Sequence, residues 1–203
     1  VGSEMCIRDR DPDNQAILAK RNQMPGVAAG EAKFDEMTKA AAMFVSSLNT
    51  CLALAVSKGD RFEWAIKKAT ELGVTSIVPI MSQRVDMRLS PERWQKKQEH
   101  WQQIVISACE QSGRALVPEV HEPTTLSQWL SDVEADCKLV LDPEATPSAL
   151  HHQPASIALL TGPEGGLAPS ELTLASENGF SAMRLGPRVL RTETAPLLSL
   201  IHI

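Results

Sequence analysis

The sequence lacks several patterns that mark common classes of protein. No apolar run is long enough to span a bilayer, so we expect no membrane-spanning helix. The four cysteines are scattered without Cys-x-x-Cys spacing, and the five histidines form no metal-ligand spacing. This pattern argues against a zinc site or a disulfide framework and suits a reducing, cytoplasmic environment. We therefore expect a protein without a metal ion and without a membrane partner.

Charge and nucleotide-binding signals are also weak. The formal net charge is −5 at pH 7, so the chain as a whole lacks the positive excess typical of nucleic-acid binding. No Gly-x-Gly-x-x-Gly sequence follows a predicted strand, which disfavours a nicotinamide cofactor. Basic residues are instead local, in one run over residues 84–97 and in a second made of Arg184, Arg188 and Arg191. A charged run is usually a solvated surface, but the second run adjoins the glycine-rich turns described below.

From residue 51 onward, predicted strands alternate with predicted helices. Apolar runs predict strands over residues 51–56, 74–80, 117–120, 138–141 and 180–185 and from Ile157. Helical spacing and capping signals predict helices that begin near Asp60, Ser90, Thr125 and Pro169, three of them ended by Gly73, Gly113 and Gly179. Asp60 and Glu63 have the spacing of a capping box. The alternation indicates an α/β fold, a parallel sheet with helices on both faces.

The two ends of the chain differ from this pattern. Residues 1–50 contain no run of alternating strands, and we treat them as an unmatched N-terminal segment beside a domain over residues 51–203. Met5–Arg10 and Leu198–Ile203 resemble translations of the two strands of a sequencing adapter. We interpret both as assembly artefacts and expect the natural C-terminus to be missing.

Two apolar runs end in Gly-Pro turns. One precedes Gly162-Pro163-Glu164-Gly165-Gly166, and the other precedes Gly186-Pro187, with Arg191-Thr192-Glu193-Thr194 shortly after it. Ligands bind at the carboxyl ends of the strands in an open parallel sheet. Glycine there lets the backbone approach a ligand closely. Either turn alone is typical of an ordinary loop, but the pair predicts a ligand site.

These loops resemble the signature loops of the ribosomal RNA small subunit methyltransferase E family, in the SPOUT group of knotted methyltransferases. The resemblance extends from about Leu52 to Leu197 and includes Ser57–Asp60, Glu71–Val74 and Ala108–Arg114. It implies a deep trefoil knot, S-adenosyl-L-methionine as cofactor and a homodimer. It also implies methylation of a uridine at N3 in the 16S rRNA of the small ribosomal subunit. The family's N-terminal β-barrel, which resembles PUA domains, is expected to be absent or degraded in residues 1–50.

The resemblance also implies which residues form the site. The cofactor-binding residues carried over by position are Leu141, Leu160, Thr161, Gly162, Pro163, Glu164, Gly165, Gly166, Leu185, Gly186, Pro187, Val189 and Leu190. Backbone groups would read the adenine edges, while apolar side chains such as Leu160, Leu185 and Leu190 would sandwich the ring. Since uridine N3 carries a proton, a general base or a stabilising cation is needed, and we predict Arg191 and Glu193. An ion pair between these two, with Thr192 capping the next helix, is an equally good interpretation.

The residues predicted to contact RNA are Arg84, Glu110, Gln111, Arg114 and Arg188. Glu110 and Arg114 are four positions apart and would share one helix face, so an ordinary intrahelical ion pair is the alternative. Two departures from the family pattern stand out. Gln83 precedes Arg84 where the family commonly has glutamate, and Pro196 falls near the start of the last helix, where a backbone donor is expected to be needed.

Two other functions fit the same sequence. One is a ribose 2′-O-methyltransferase of the same superfamily, although that group typically has an Asn-Glu-x-x-Gly loop in place of Gly-Pro-Glu-Gly-Gly. The other is a non-catalytic RNA-binding protein that keeps the fold. Cofactor binding separates the second from an enzyme, and the position of the methylated atom separates the first.

Overall fold

The computed structural model describes residues 48–57, 59–85, 89–146 and 154–202. Their elements are β1 (Asn49–Ala55), α1 (Arg61–Glu71), β2 (Ser76–Met81), α2 (Pro91–Ser112), β3 (Glu119–Val120), β4 (Thr124–Thr125), α3 (Leu126–Asp132), β5 (Cys137–Leu141), β6 (Ser156–Thr161), α4 (Pro169–Glu177), β7 (Ser181–Met183) and α5 (Thr194–His202). The predictions for residues 1–47, including Met5–Arg10, lie outside the described residues. In the described part of the chain, no helix is long and apolar enough to cross a bilayer.

The strands form one sheet in which every pairing is parallel. Its order is β3-β2-β1-β6-β5-β7. Along the outer edge of β2, β3 pairs with Ser76 and Ile77, and β4 pairs with Ile80 and Met81. In the middle of the sheet, Leu52 of β1 lies between Ile77 of β2 and Leu159 of β6. Parallel neighbours need crossover connections, and most of the helices supply them. The predicted α/β fold with a parallel sheet is confirmed.

Helices cover both faces of the sheet, as predicted. Successive side chains of a strand point to opposite faces, so Leu52 and Leu54 of β1 belong to one core cluster and Ala53 to the other. On the first face, Phe62 of α1 and Trp101 of α2 pack with ring centroids 4.4 Å apart. On the second face, α3 and α4 cover the sheet. The two apolar clusters bury the two faces of the sheet.

Local capping shows where the sequence predictions were right and wrong. Ser90 precedes α2, and Gly113 ends it at φ +72°, as predicted. The Thr125 hydroxyl accepts the Gln128 N–H at 3.3 Å and so caps α3. The capping box on α1 was wrong, because the Asp60 side chain makes no capping hydrogen bond. Trp101 is fully buried and confirms its predicted place in the core.

The last helix, α5, includes Leu198–His202, which the sequence analysis set aside. Leu197 and Leu200 pack against the core on the face of α1 and α2, and Ser199 is fully buried. Pro196 is the third residue of α5. The first N–H groups of a helix have no intrahelical acceptor, so the proline removes no helical hydrogen bond there. The trefoil knot and the origin of Leu198–Ile203 stay predictions.

Candidate functional site at the carboxyl ends of the strands

A cleft of about 770 Å³ lies at the carboxyl ends of β5, β6 and β7. Its walls come from the loops that follow these strands, within residues 141–144, 161–169 and 183–193. Parallel strands end at one edge of the sheet, which brings these loops together. The volume is in the range of pockets that enclose a small organic ligand.

The cleft brings together eleven of the thirteen residues predicted to bind a cofactor. They are Leu141, Thr161, Gly162, Pro163, Glu164, Gly165, Gly166, Leu185, Gly186, Val189 and Leu190. Leu160 is a correction: it is fully buried in the cluster beneath α3 and α4, so it cannot sandwich a ligand ring. Pro187 does not line the cleft either, although its neighbour Gly186 does.

The glycine loop, residues Gly162–Gly166, adopts a tight turn. The N–H of Gly166 donates to the carbonyl of Pro163 at 2.8 Å, and Gly166 has a φ of +69°. A Cβ atom on Gly162 would lie 2.9 Å from the backbone nitrogen of Leu167, which is closer than real Cβ contacts. Gly162 is therefore required by close packing and Gly166 by its backbone conformation.

Side chains from three other segments hold the glycine loop. Arg61, the first residue of α1, forms an ion pair with Glu164 at 3.1 Å. The guanidinium of Arg84, in the loop after β2, donates to the carbonyl of Gly165. The hydroxyl of Thr192 donates to the carbonyl of Gly162 at 2.7 Å. Sequence reasoning missed Arg61, although its place just after β1 puts it at the same edge as Arg84.

Arg191 and Glu193 both line the cleft but interact weakly with each other. Their closest nitrogen and oxygen atoms are 3.9 Å apart, and the Arg191 side chain is 81% exposed. Such an exposed pair contributes little to stability. The Oε2 atom of Glu193 is buried and has no hydrogen-bond partner among the described residues. The alternative role of Thr192 as a cap is not seen, since α5 begins at Thr194 and the Thr192 hydroxyl donates to the Gly162 carbonyl.

Comparison with known proteins identifies the family. The family profile described as RNA methyltransferase domain matches residues 45–203. The chain belongs to this family. A curated relative named ribosomal RNA small subunit methyltransferase E, from Synechocystis sp., is 38% identical over 77% of this chain and 53% of its own length. The protein of that name from Bacillus subtilis is 36% identical over 75% of this chain and 64% of its own length.

Solved structures agree with this assignment. A Legionella pneumophila protein described as a methyltransferase, in complex with bound SAM, is 41% identical with a TM-score of 0.73, over 76% of this chain and 65% of that one. Ribosomal RNA small subunit methyltransferase E from Neisseria gonorrhoeae, bound to S-adenosyl methionine, is 40% identical with a TM-score of 0.71, over 76% and 64%. This chain thus spans about half to two thirds of the length of the relatives it matches.

The residues predicted to contact RNA fall at separate places on this RNA methyltransferase domain. Arg84 and Arg188 line the cleft, whereas Glu110 and Gln111 are exposed on α2 and do not line it. The expected shared helix face of Glu110 and Arg114 was wrong, since α2 ends at Ser112. Arg114 instead donates through Nη1 to the carbonyls of Thr70, at 2.7 Å, and Val74, at 2.8 Å. It stabilises the carboxyl end of α1 from outside the helix.

The cysteines of the described part of this RNA methyltransferase domain are not activated as nucleophiles. Burial raises the pKa of the Cys51 thiol, and hydrogen bonds to Ser76 and Trp129 offset this only in part. Burial likewise raises the pKa values of Cys109 and Cys137. These thiols stay protonated at neutral pH, so they are poor nucleophiles. The described residues contain no group of three or more His, Cys, Asp or Glu that could hold a metal ion.

Proposed function

We propose that this chain carries the catalytic domain of an enzyme that methylates N3 of a uridine in 16S rRNA, with S-adenosyl-L-methionine as the methyl donor. The observation that carries the proposal is the cleft lined by the glycine loop, with Arg191 and Glu193 in its wall. The two curated relatives named as ribosomal RNA small subunit methyltransferase E support the reaction, and the two ligand-bound structures support the cofactor. We further infer a cytoplasmic homodimer that acts on the small ribosomal subunit.

The lining of the cleft fits this cofactor. An adenine ring needs apolar contacts on its faces and backbone donors and acceptors at its edge. Leu141, Leu185 and Leu190 supply apolar side chains, and the glycine loop supplies backbone groups without side chains in the way. Among the described residues, the buried hydroxyl of Thr161 has no hydrogen-bond partner, so it is available to a group bound in the cleft. The bound cofactor supplies an electrophilic methyl group on a sulfonium.

In this proposal Glu193 removes the proton from uridine N3, and Arg191 stabilises the charge that develops on the base. Uridine N3 carries a proton, which must leave before or during attack on the methyl group. Glu193 lines the cleft, and its Oε1 atom contacts Arg191 only weakly at 3.9 Å, so Glu193 takes this proton in our proposal. The exposed guanidinium of Arg191 is free to approach the two uracil oxygens and stabilise the negative charge that develops there. Since methyl transfer needs little more than in-line positioning, no further catalytic group is required.

Charge around the cleft suits an RNA substrate. Arg84, Arg188 and Arg191 all line the cleft, so its basic residues can attract RNA despite the negative net charge of the chain, and Arg188 can neutralise a backbone phosphate. Glu110 and Gln111 do not line this cleft, and we propose that RNA reaches them across a homodimer.

The test uses this chain and a full-length relative in parallel. Titration calorimetry measures S-adenosyl-L-methionine binding, and mass spectrometry maps the methylated atom after incubation with unmodified small subunits. We expect a one-to-one complex and a methyl group on N3 of a single uridine. A methyl group on a ribose 2′-oxygen would establish the alternative enzyme. RNA binding with no cofactor binding by either protein would establish a non-catalytic RNA-binding protein.

A further inference from the structure

Glu171 has an unusual place for a charged side chain. It is the third residue of α4, and only 4% of it is exposed. Both carboxylate oxygens accept backbone hydrogen bonds. Oε2 accepts from the N–H of Ala168 at 2.7 Å, and Oε1 accepts from the N–H of Gln83 at 2.8 Å. Gln83 belongs to the loop after β2, so the carboxylate joins two distant segments of the chain.

Helix capping explains only half of this arrangement. A glutamate at the third helical position commonly accepts the N–H of the capping residue. Oε2 does this, but Ala168 has no side-chain oxygen with which to complete a capping box. Capping also requires no burial and no second segment. The bond from Gln83 to Oε1 is therefore a tertiary contact that a cap does not need.

The segment that Glu171 holds also carries Arg84. The next residue after Gln83 is Arg84, whose guanidinium donates to the carbonyl of Gly165. The Gln83 side chain donates to the hydroxyl of Ser170 at 3.2 Å. The loop after β2 is thus tied to residues 165–171 at three points. A shift of Gln83 would carry Arg84 away from the glycine loop.

We propose that Glu171 is a positioning residue of the cleft: it fixes the loop after β2 so that Arg84 closes on Gly165 and holds the glycine loop in its binding conformation. The inference rests on the proposed function and extends it to a residue that does not line the cleft. Glu171 then contributes to cofactor affinity through Arg84 rather than through contact with the ligand.

Glu171→Gln tests the role with little change in shape. The amide nitrogen of glutamine is a donor, so one of the two backbone N–H groups would face a donor instead of an acceptor. Loss of one buried hydrogen bond to a charged group predicts a fall in S-adenosyl-L-methionine affinity of about tenfold or more. Glu177→Gln, at an exposed position of the same helix, is the matched control and should bind as the unsubstituted chain does.

A second control separates side chain from backbone at Gln83. Gln83→Ala removes the contact to Ser170 but keeps the N–H that Glu171 accepts. It should lower the affinity much less than Glu171→Gln does. An equal loss in both variants would move the role from Glu171 to the Gln83 side chain and overturn the proposal.

A double-mutant cycle with Arg84→Ala tests whether Glu171 acts through Arg84. If each single variant lowers the affinity about tenfold, the double variant should also lose about tenfold, since both changes break the same link. A product of the two losses, about a hundredfold, would mean independent effects and would refute the positioning role. If Glu171→Gln fails to fold, Glu171→Asp, which keeps both acceptors on a shorter side chain, replaces it in the cycle.

Hydrogen exchange without cofactor makes the result independent of the proposed function. The N–H of Gly166 closes the turn of the glycine loop on Pro163, so its exchange rate reports whether that loop opens. Glu171→Gln and Arg84→Ala should both accelerate exchange at Gly166, while Glu177→Gln should not. Faster exchange at Gln83 and Ala168 alone would leave Glu171 as a local contact and overturn the inference. Absence of cofactor binding in the unsubstituted chain would refute the proposed function. The exchange rate of the Gly166 N–H would still show whether Glu171 holds the glycine loop through Arg84.

Discussion

Gly162→Ala is expected to disable the cleft by steric conflict alone. The added Cβ would lie 2.9 Å from the backbone nitrogen of Leu167 and 3.1 Å from its Cγ atom. A backbone atom cannot move aside as the end of a side chain can, so the turn itself must shift. Overpacking of this kind costs about 1–3 kcal/mol. Since Gly162 does not have a positive φ, backbone strain adds nothing. Calorimetry should show loss of S-adenosyl-L-methionine binding, and thermal unfolding a drop of roughly 2–12 °C.

Two other glycines of the same cleft are the controls. A Cβ on Gly165 would meet Cδ of the Arg84 side chain at 3.3 Å, which requires a shift of only a few tenths of an ångström, so Gly165→Ala should cost less than Gly162→Ala. A Cβ on Gly186 would meet nothing within 4 Å, but its φ is +95°, so Gly186→Ala should cost about 1–2 kcal/mol through backbone conformation only. Normal cofactor binding by Gly162→Ala would refute the steric argument. Equal losses in all three variants would show that the loops tolerate no change of any kind.

Three further substitutions test other contacts. Thr192→Val keeps the shape of the side chain but removes the donor to the Gly162 carbonyl. The free energy of unfolding should fall by about 1 kcal/mol in thermal unfolding, and cofactor binding should weaken. Unchanged stability and affinity would show that this hydrogen bond is unimportant. Arg191→Ala should lower the methyl-transfer rate more than cofactor affinity, and equal losses in single-turnover kinetics and calorimetry would favour a structural arginine. Arg114→Ala should lower the free energy of unfolding by about 1.5–3 kcal/mol in chemical unfolding, because the carbonyls of Thr70 and Val74 lose a charged donor. The salt dependence of rRNA binding should stay the same. A decrease of about one in the slope of log affinity against log salt concentration would restore the RNA contact.

Much of the fold could be predicted because its signals are local. Apolar runs marked the strands, and Ser90, Gly113 and Thr125 marked helix ends through hydrogen bonds or conformations within a few residues. The two Gly-Pro turns marked the cleft because parallel strands end at one edge. β7 was predicted too long, since its apolar run continues to Leu185 while pairing with β5 ends at Met183.

The contacts within the site could not be predicted in the same way, because their partners are distant in sequence. Arg114 was expected to share a helix face with Glu110, but α2 ends before it, and the guanidinium reaches the carbonyls of Thr70 and Val74. Leu160 was assigned to the cleft from its neighbours in the motif. It lies inside β6, where α3 and α4 cover it, and only Thr161, the last residue of the strand, reaches the cleft. Neither outcome follows from spacing alone.

The glycine loop explains why such distant contacts matter to the site. Three of its five residues are glycines, so few of its own side chains are available to fix its conformation. Arg61 binds Glu164, Arg84 binds the Gly165 carbonyl and Thr192 binds the Gly162 carbonyl, from segments after β1, β2 and β7. These side chains therefore position the backbone groups of the loop that would bind a ligand. Substitutions in them should weaken binding, and the loss should increase with the opening of the loop, which exchange of the Gly166 N–H measures.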